Sequence, residues 1–199
     1  MYSLEEGTLA VSTARKVIEC FVEGKPYPDF NFPESFEAES GVFVTINTHP
    51  DDQLRGCIGY PSPIFSLKRA LVKAAEGSTE DPRFPRLSSE ELDRVTIEVS
   101  ILTSPEQIEV SKATEYPKRI EIGNDGLIVE KGPYRGLLLP QVAVEWKWDE
   151  EEFLSQTCMK AGLPPDAWFD KDTKIFKFNS RIFREISPGG EVEEKTLGD

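Results

Sequence analysis

The sequence predicts an α+β protein of two subdomains, with antiparallel sheets and helices packed on one face, and three observations predict it. A strand-strand-helix-strand pattern occurs twice along the chain. Two helical stretches open on capping boxes, Ser3 with Glu6 and Asp149 with Glu152. Between the two copies, Val95 to Ile101 alternates apolar and polar residues without a break, the pattern of a half-buried antiparallel strand.

Taken in order, the first capping box starts a helix whose Leu4, Val11, Ala14, Ile18, Phe21 and Val22 recur at helical spacing until Gly24. Cys20 sits at the edge of that stripe and reads as packing. Residues 26–40 have no clean period and read as an irregular segment pinned by Phe30, Phe32 and Phe36. Gly41 to Ile46 and Leu54 to Gly59 read as a hairpin whose loop, Thr48 to Asp52, carries the only histidine, His49. Ser62 with Pro63 at the first helical position predicts a second helix, with Leu67, Ala70, Leu71 and Ala74 on its buried side and Gly77 at its end. It is expected to cover one face of the sheet. The loop Ser78 to Pro85 combines prolines and charges, as functional loops and plain linkers both do.

The turn signal Gly123-Asn124-Asp125-Gly126 opens the second copy. Gly126-Leu127-Ile128-Val129 echoes Gly41-Val42-Phe43-Val44, and Arg135-Gly136 echoes Arg55-Gly56. The helix from Asp149 buries Phe153, Leu154, Thr157 and Cys158 and stops at Gly162; Cys158 therefore reads as core. A strand at Lys174 to Phe178 leads to a second at Arg181 to Ile186. Residues 187–199 are expected to form a flexible acidic tail.

The most unusual stretch is Leu54-Arg55-Gly56-Cys57-Ile58-Gly59. A strand interior keeps glycine where a ligand or another backbone comes close, so Gly56 and Gly59 invite such an approach. Alternation places Arg55, Cys57 and Gly59 on one face. A cation two residues from a thiol favours the thiolate, and Glu98 would orient Arg55 if their strands were neighbours. His49 is a poor base for Cys57, because the hairpin separates them by three residues of strand, roughly 10 Å.

Composition excludes several function classes. Of 199 residues, 38% are apolar and 30% charged, normal for a folded soluble chain. No apolar run approaches a membrane span and the first residues lack a basic leader, so the expected location is the cytosol. Three scattered cysteines provide neither a disulfide framework nor a close-spaced metal-ligand pair; no metal and no cofactor is expected. A net charge of -13 disfavours nucleic acid as a partner.

Four segments, Leu54 to Gly59, Asp81-Pro82-Arg83-Phe84-Pro85, Gly136 to Gln141 and Leu154 to Leu163, together resemble the AMMECR-one domain family over nearly the whole chain, and the chain looks like an archaeal member. The resemblance implies a single domain over residues 1–186, with a larger subdomain from both chain ends, a smaller one from the middle and a cleft between them. It maps the family's leading hexapeptide onto Leu54 to Gly59 and implies a shared pathway with Memo-type and radical S-adenosylmethionine proteins. It brings no activity to transfer.

Three readings follow. The leading one is a small-molecule or peptide site built from Arg55, Gly56, Gly59, Glu98 and Arg83, in a protein that works beside a partner enzyme. The second is a thiol enzyme with Cys57 as nucleophile. The third is a protein interaction module using the Phe30 to Phe36 segment or the loop around Arg83.

Overall fold

The structure, a computed structural model, describes residues 2–195, which divide into two compact units. The first comprises residues up to Leu102 together with Arg181–Lys195, and the second runs from Thr103 to Ser180.

In the first unit α1 spans Leu4–Glu23. Its predicted capping box is formed: Ser3 N–H donates to Glu6 Oε2 at 2.8 Å, and Glu6 N–H to Ser3 Oγ at 3.2 Å. Gly24 closes the helix in the left-handed region, where L side chains are rare. The hairpin follows as β1 (Val42–Thr48) and β2 (Leu54–Tyr60), then α2 (Leu67–Ser78) and β3 (Val95–Leu102). Val42, Val44 and Ile46 of β1 and Ile97, Val99 and Ile101 of β3 are wholly buried in one core with Val11, Ala14 and Ile18 of α1 and Leu71 and Ala74 of α2. The two strands are in direct antiparallel register, Val44 opposite Val99, so their apolar sides coincide.

The second unit contains the two-residue β4 (Glu106–Gln107), β5 (Asp125–Lys131), β6 (Tyr134–Leu138), α3 (Pro140–Trp146) and α4 (Glu150–Lys160). Its core joins Leu127 and Val129 to Phe153, Leu154, Cys158 and Trp168. Here β5 pairs with β6 and with β7 (Lys174–Glu185), and β4 also pairs with β7. The last residues of β7 belong to the first unit, where the strand order is β2-β1-β3-β7 and β8 (Val192–Lys195) pairs back onto β7.

The α+β class and the antiparallel pairing hold, and the strand-strand-helix-strand order recurs in the second copy with an extra helix, α3, inserted before α4. Four details differ from expectation. The second helix begins at Leu67, because Ser66 is held in a bridge with Glu39 and Leu67 N–H donates to Ala38 O at 2.9 Å; residues 62–65 are irregular. The two expected C-terminal strands are one strand, β7. The segment expected to be a flexible tail is paired through Lys195 as β8, and its remaining residues, 196–199, lie outside the described residues. Finally, Gly56 lies opposite Ile46 while Gly136 lies opposite Val129, so the echo of Gly41 to Val44 in Gly126 to Val129 is out of register by two residues.

One buried ion pair ties the first unit together. Arg15 of α1 donates from Nε and Nη2 to Glu185 of β7, and also to the carbonyls of Leu92 at 3.0 Å and Val95 at 2.7 Å. Glu185 accepts in addition from Ile97 N–H at 3.0 Å. A buried charge pair persists only when its remaining donors and acceptors are matched in this way.

Candidate functional site: the edge of the second strand

The strand β2 lies at the end of the sheet order, so one side of its backbone has no neighbouring strand. Protein side chains fill that side at Cys57. Its N–H donates to Asp81 Oδ2 at 2.9 Å, and its carbonyl accepts from Arg83 Nη2 at 3.3 Å. Asp81, buried, also accepts from Arg83 N–H and Nε at 3.0 Å and from Nη2 at 2.7 Å. The loop after α2 thus stands in for a neighbouring strand, a recognised way to blunt a sheet edge. The Arg83 guanidinium holds the Asp81 carboxyl well below the usual carboxylate range, and Asp81 in turn raises Arg83. The Arg83 side chain remains 57% exposed, and its Nη1 makes no hydrogen bond among the described residues.

The thiol sits on the face opposite the helices. Thr45 lies opposite Cys57 on one side and opposite Glu98 on the other, so the three form a row across β2, β1 and β3. The Thr45 hydroxyl donates to Cys57 Sγ at 3.1 Å. Burial pushes the thiol up; the Thr45 bond and the Arg83 charge pull it down by less, and Asp81 and Glu98 add to the rise. The neutral thiol is the favoured form, contrary to the activated thiolate expected from Arg55.

Arg55 is elsewhere. The register shifts between Ile46 and Asn47, so that Asn47 opposes Leu54 and Ile46 opposes Gly56, and Arg55 is the unpaired extra residue of a bulge. Its Nε and Nη2 donate to Glu91 at 2.8 and 3.1 Å, and Nη1 to Pro85 O at 2.9 Å. Glu98, its expected partner, pairs with Lys195 at 3.3 Å. The bulge was invisible in the alternation, whereas the Ser88 and Glu91 spacing that forms a capping box here was readable.

Gly56 and Gly59 are both explained by protein neighbours. A Cβ at 56 would overlap Ser78 O at the end of α2, and one at 59 would overlap the Phe43 ring. Thr96 and Ser100, on the side expected to be solvated, are buried. His49 lies four residues along β1 from the position opposite Cys57, about 13 Å at the strand rise. Cys20 and Cys158 are buried, and burial pushes the Cys158 thiol up to about 11. Phe36 is wholly buried and Phe32 stacks on it at 5.3 Å, which commits the phenylalanine segment to the core. Among the described residues, no group of acidic, cysteine and histidine side chains has the geometry to hold a metal ion, and no helix is long and apolar enough to cross a membrane.

Comparison with known proteins fixes the family. The AMMECR1 family model matches residues 11–183. The chain belongs to the AMMECR1 family. It is 53% identical over 198 residues to Protein MJ0810 of Methanocaldococcus jannaschii, covering 99% of this chain and 98% of that one. It is 52% identical over 199 residues to Protein PYRAB00100 of Pyrococcus abyssi, with 97% of each covered. The crystal structure of the uncharacterized protein PH0010 from Pyrococcus horikoshii has the same fold, with a TM-score of 0.82 at 51% identity over 97% of this chain and 98% of that one. These archaeal relatives carry generic names.

Within this AMMECR1 domain, the segments Leu54 to Gly59 and Asp81 to Pro85 meet at one place. The second supplies the carboxylate and guanidinium that occupy the free edge of the first. The sequence placed Arg83 among candidate binding residues but did not anticipate Asp81, whose role depends on a contact across 24 residues.

Proposed function

We propose that this AMMECR1 domain is a binding module whose site is the β2 edge at Cys57, and that it takes a small molecule or peptide through a carboxylate or similar anionic group. One observation carries the reading: Arg83 is fixed by Asp81 and by the Cys57 carbonyl, yet is 57% exposed with Nη1 uncommitted. A guanidinium held in place loses little freedom when it accepts a ligand, and pre-arranged donors favour carboxylates. The Cys57 carbonyl touches it, and the Cys57 thiol is bonded in turn by the Thr45 hydroxyl. The raised thiol weighs against Cys57 as a nucleophile. Under this reading the domain works in the cytosol and passes its ligand to or from a Memo-type or radical S-adenosylmethionine protein, the partners that the family resemblance implies.

The test is titration of the isotope-labelled protein with acetate, succinate and triglycine, following the amides of Cys57 and Arg83. Saturable shifts that vanish in Arg83→Gln are expected. If Cys57 does not respond to any of the three, or if Arg83→Gln responds as wild type does, the proposal fails.

A further inference from the structure

A second place in the first unit has the attributes of a ligand site and shares no residue with the β2 edge. A cavity of about 220 Å³ opens beneath the hairpin loop, lined among others by His49, Asp52, Thr96, Arg184, Glu185 and Glu193. Its volume lies below the roughly 300 Å³ at which pockets for drug-sized ligands begin, so it suits a molecule of amino-acid size. Thr96 is 7% exposed, and its hydroxyl makes no hydrogen bond among the described residues. Among the described residues the one sealed side-chain oxygen without a partner is Gln141 Oε1, so the Thr96 hydroxyl is open to this cavity and available to whatever enters it.

The charges around it narrow the ligand. Glu185 is already neutralised by Arg15 and bonded to Ile97 N–H. Arg184 donates Nε to Glu193 at 2.9 Å, while its Nη1 stands 3.7 Å from Asp52 Oδ2, too far for a hydrogen bond. Donors therefore remain on the terminal nitrogens of Arg184, and the Asp52 carboxylate, ion-paired with them at 3.7 Å, accepts no side-chain hydrogen bond among the described residues. An anion alone would meet two carboxylates against one guanidinium, and a cation alone would be drawn to the carboxylates but would leave the terminal donors of Arg184 without an acceptor. A molecule bearing both charges a few ångströms apart completes both halves. We infer that this cavity binds a small zwitterion of the α-amino acid class, its carboxylate on Arg184 and the Thr96 hydroxyl and its ammonium on Asp52 and Glu193.

The full chain, isotope-labelled, is titrated with glycine, L-alanine and L-serine, and then with propionate and ethylamine, the two singly charged halves of alanine. Saturable movement of the Thr96 amide is expected for at least one amino acid at about 10 mM, tenfold above a ~1 mM dissociation constant. Each half should bind at least tenfold more weakly. Thr96→Val removes the hydroxyl at nearly constant shape, and Asp52→Asn changes only an exposed loop residue; each should weaken the amino acid about tenfold. Asp52→Asn should not weaken propionate, a split that a merely structural role would not produce. The inference is overturned if no amino acid saturates, if propionate or ethylamine binds as tightly as alanine, or if Asp52→Asn leaves amino-acid binding unchanged.

Discussion

Gly56 in the first unit and Gly136 in the second occupy the same point of a strand-strand-helix unit, and both are there for the same reason. A Cβ at 56 would strike Ser78 O at the end of α2, and one at 136 would strike Ala161 N at the end of α4. What adjoins the glycines differs. In the first unit Arg55 is 13% exposed and locked onto Glu91 and Pro85 O, and the residue after the glycine is a thiol whose peptide is capped by Asp81 and Arg83. In the second unit Arg135 is 38% exposed beside Glu130, its cross-strand neighbour, and leucines stand at 137 and 139. The glycine thus belongs to the scaffold of both units, and the polar edge that could meet a ligand has been added to one of them.

The largest effect expected from breaking this contrast lies beneath the first unit. Arg15→Ala strands the Glu185 carboxylate in the core and should cost about 3–5 kcal/mol in a urea melt. Replacing both partners, Arg15→Met with Glu185→Leu, should cost clearly less, because no charge is left alone. In the second unit the buried Asp125 accepts from Glu121 N–H at 2.9 Å and from Lys177 and Asn179. A partner lost there leaves others in place, so Lys177→Met should cost less than Arg15→Ala.

Gly56→Ala and Gly136→Ala come next. Each places a methyl against helix backbone, which has no rotamer by which to yield, and each should cost about 1–3 kcal/mol. Similar losses would show that the glycines share one structural role; a loss at 136 without one at 56 would reopen a ligand role for Gly56.

Asp81→Asn should cost about 1–3 kcal/mol at neutral pH, because it removes charge from an acceptor of several hydrogen bonds. The direction with pH is fixed by its lowered folded-state value. The stability that Asp81 contributes is complete above its unfolded value of about 3.9 and is lost as pH falls toward the lower folded value. Wild type should therefore lose stability below about pH 4 more steeply than Asp81→Asn does, as read from urea midpoints across that range.

Much of the scaffold was legible because it rests on local rules. The Ser3 and Glu6 capping box, the Asp149 cap and the buried stripe of α4 need only neighbours in sequence and appear as read, whereas Thr96 and Ser100 of β3 are buried on the side that alternation left to solvent. The site was legible as an address rather than as an arrangement. Alternation put Arg55 beside Cys57, and a one-residue bulge moved it away. Glu98 stood on the expected strand but faced Lys195, supplied by a segment read as loose tail. Asp81 and Glu91, which do the pairing, are fixed only once the chain has folded back on β2.

The smallest effect sharpens the comparison most. Arg55 and Arg135 precede equivalent glycines, and equal importance would predict equal losses on truncation. The geometry predicts otherwise. Arg55→Ala removes three hydrogen bonds from a nearly buried guanidinium and leaves Glu91 partly desolvated, so a loss of about 1–3 kcal/mol is expected. Arg135 meets Glu130 at 2.8 Å with both side chains more than a third exposed, where solvent screens the pair, and Arg135→Ala should fall within about 0.5 kcal/mol of wild type. The Arg55 loss should resist added salt while any Arg135 loss should fade with it, since screening acts on exposed pairs first. Equal, salt-sensitive losses at both positions would mean that the clamp on Glu91 and Pro85 contributes no more than a surface contact, and that the loop carrying Asp81 and Arg83 is positioned by something other than Arg55.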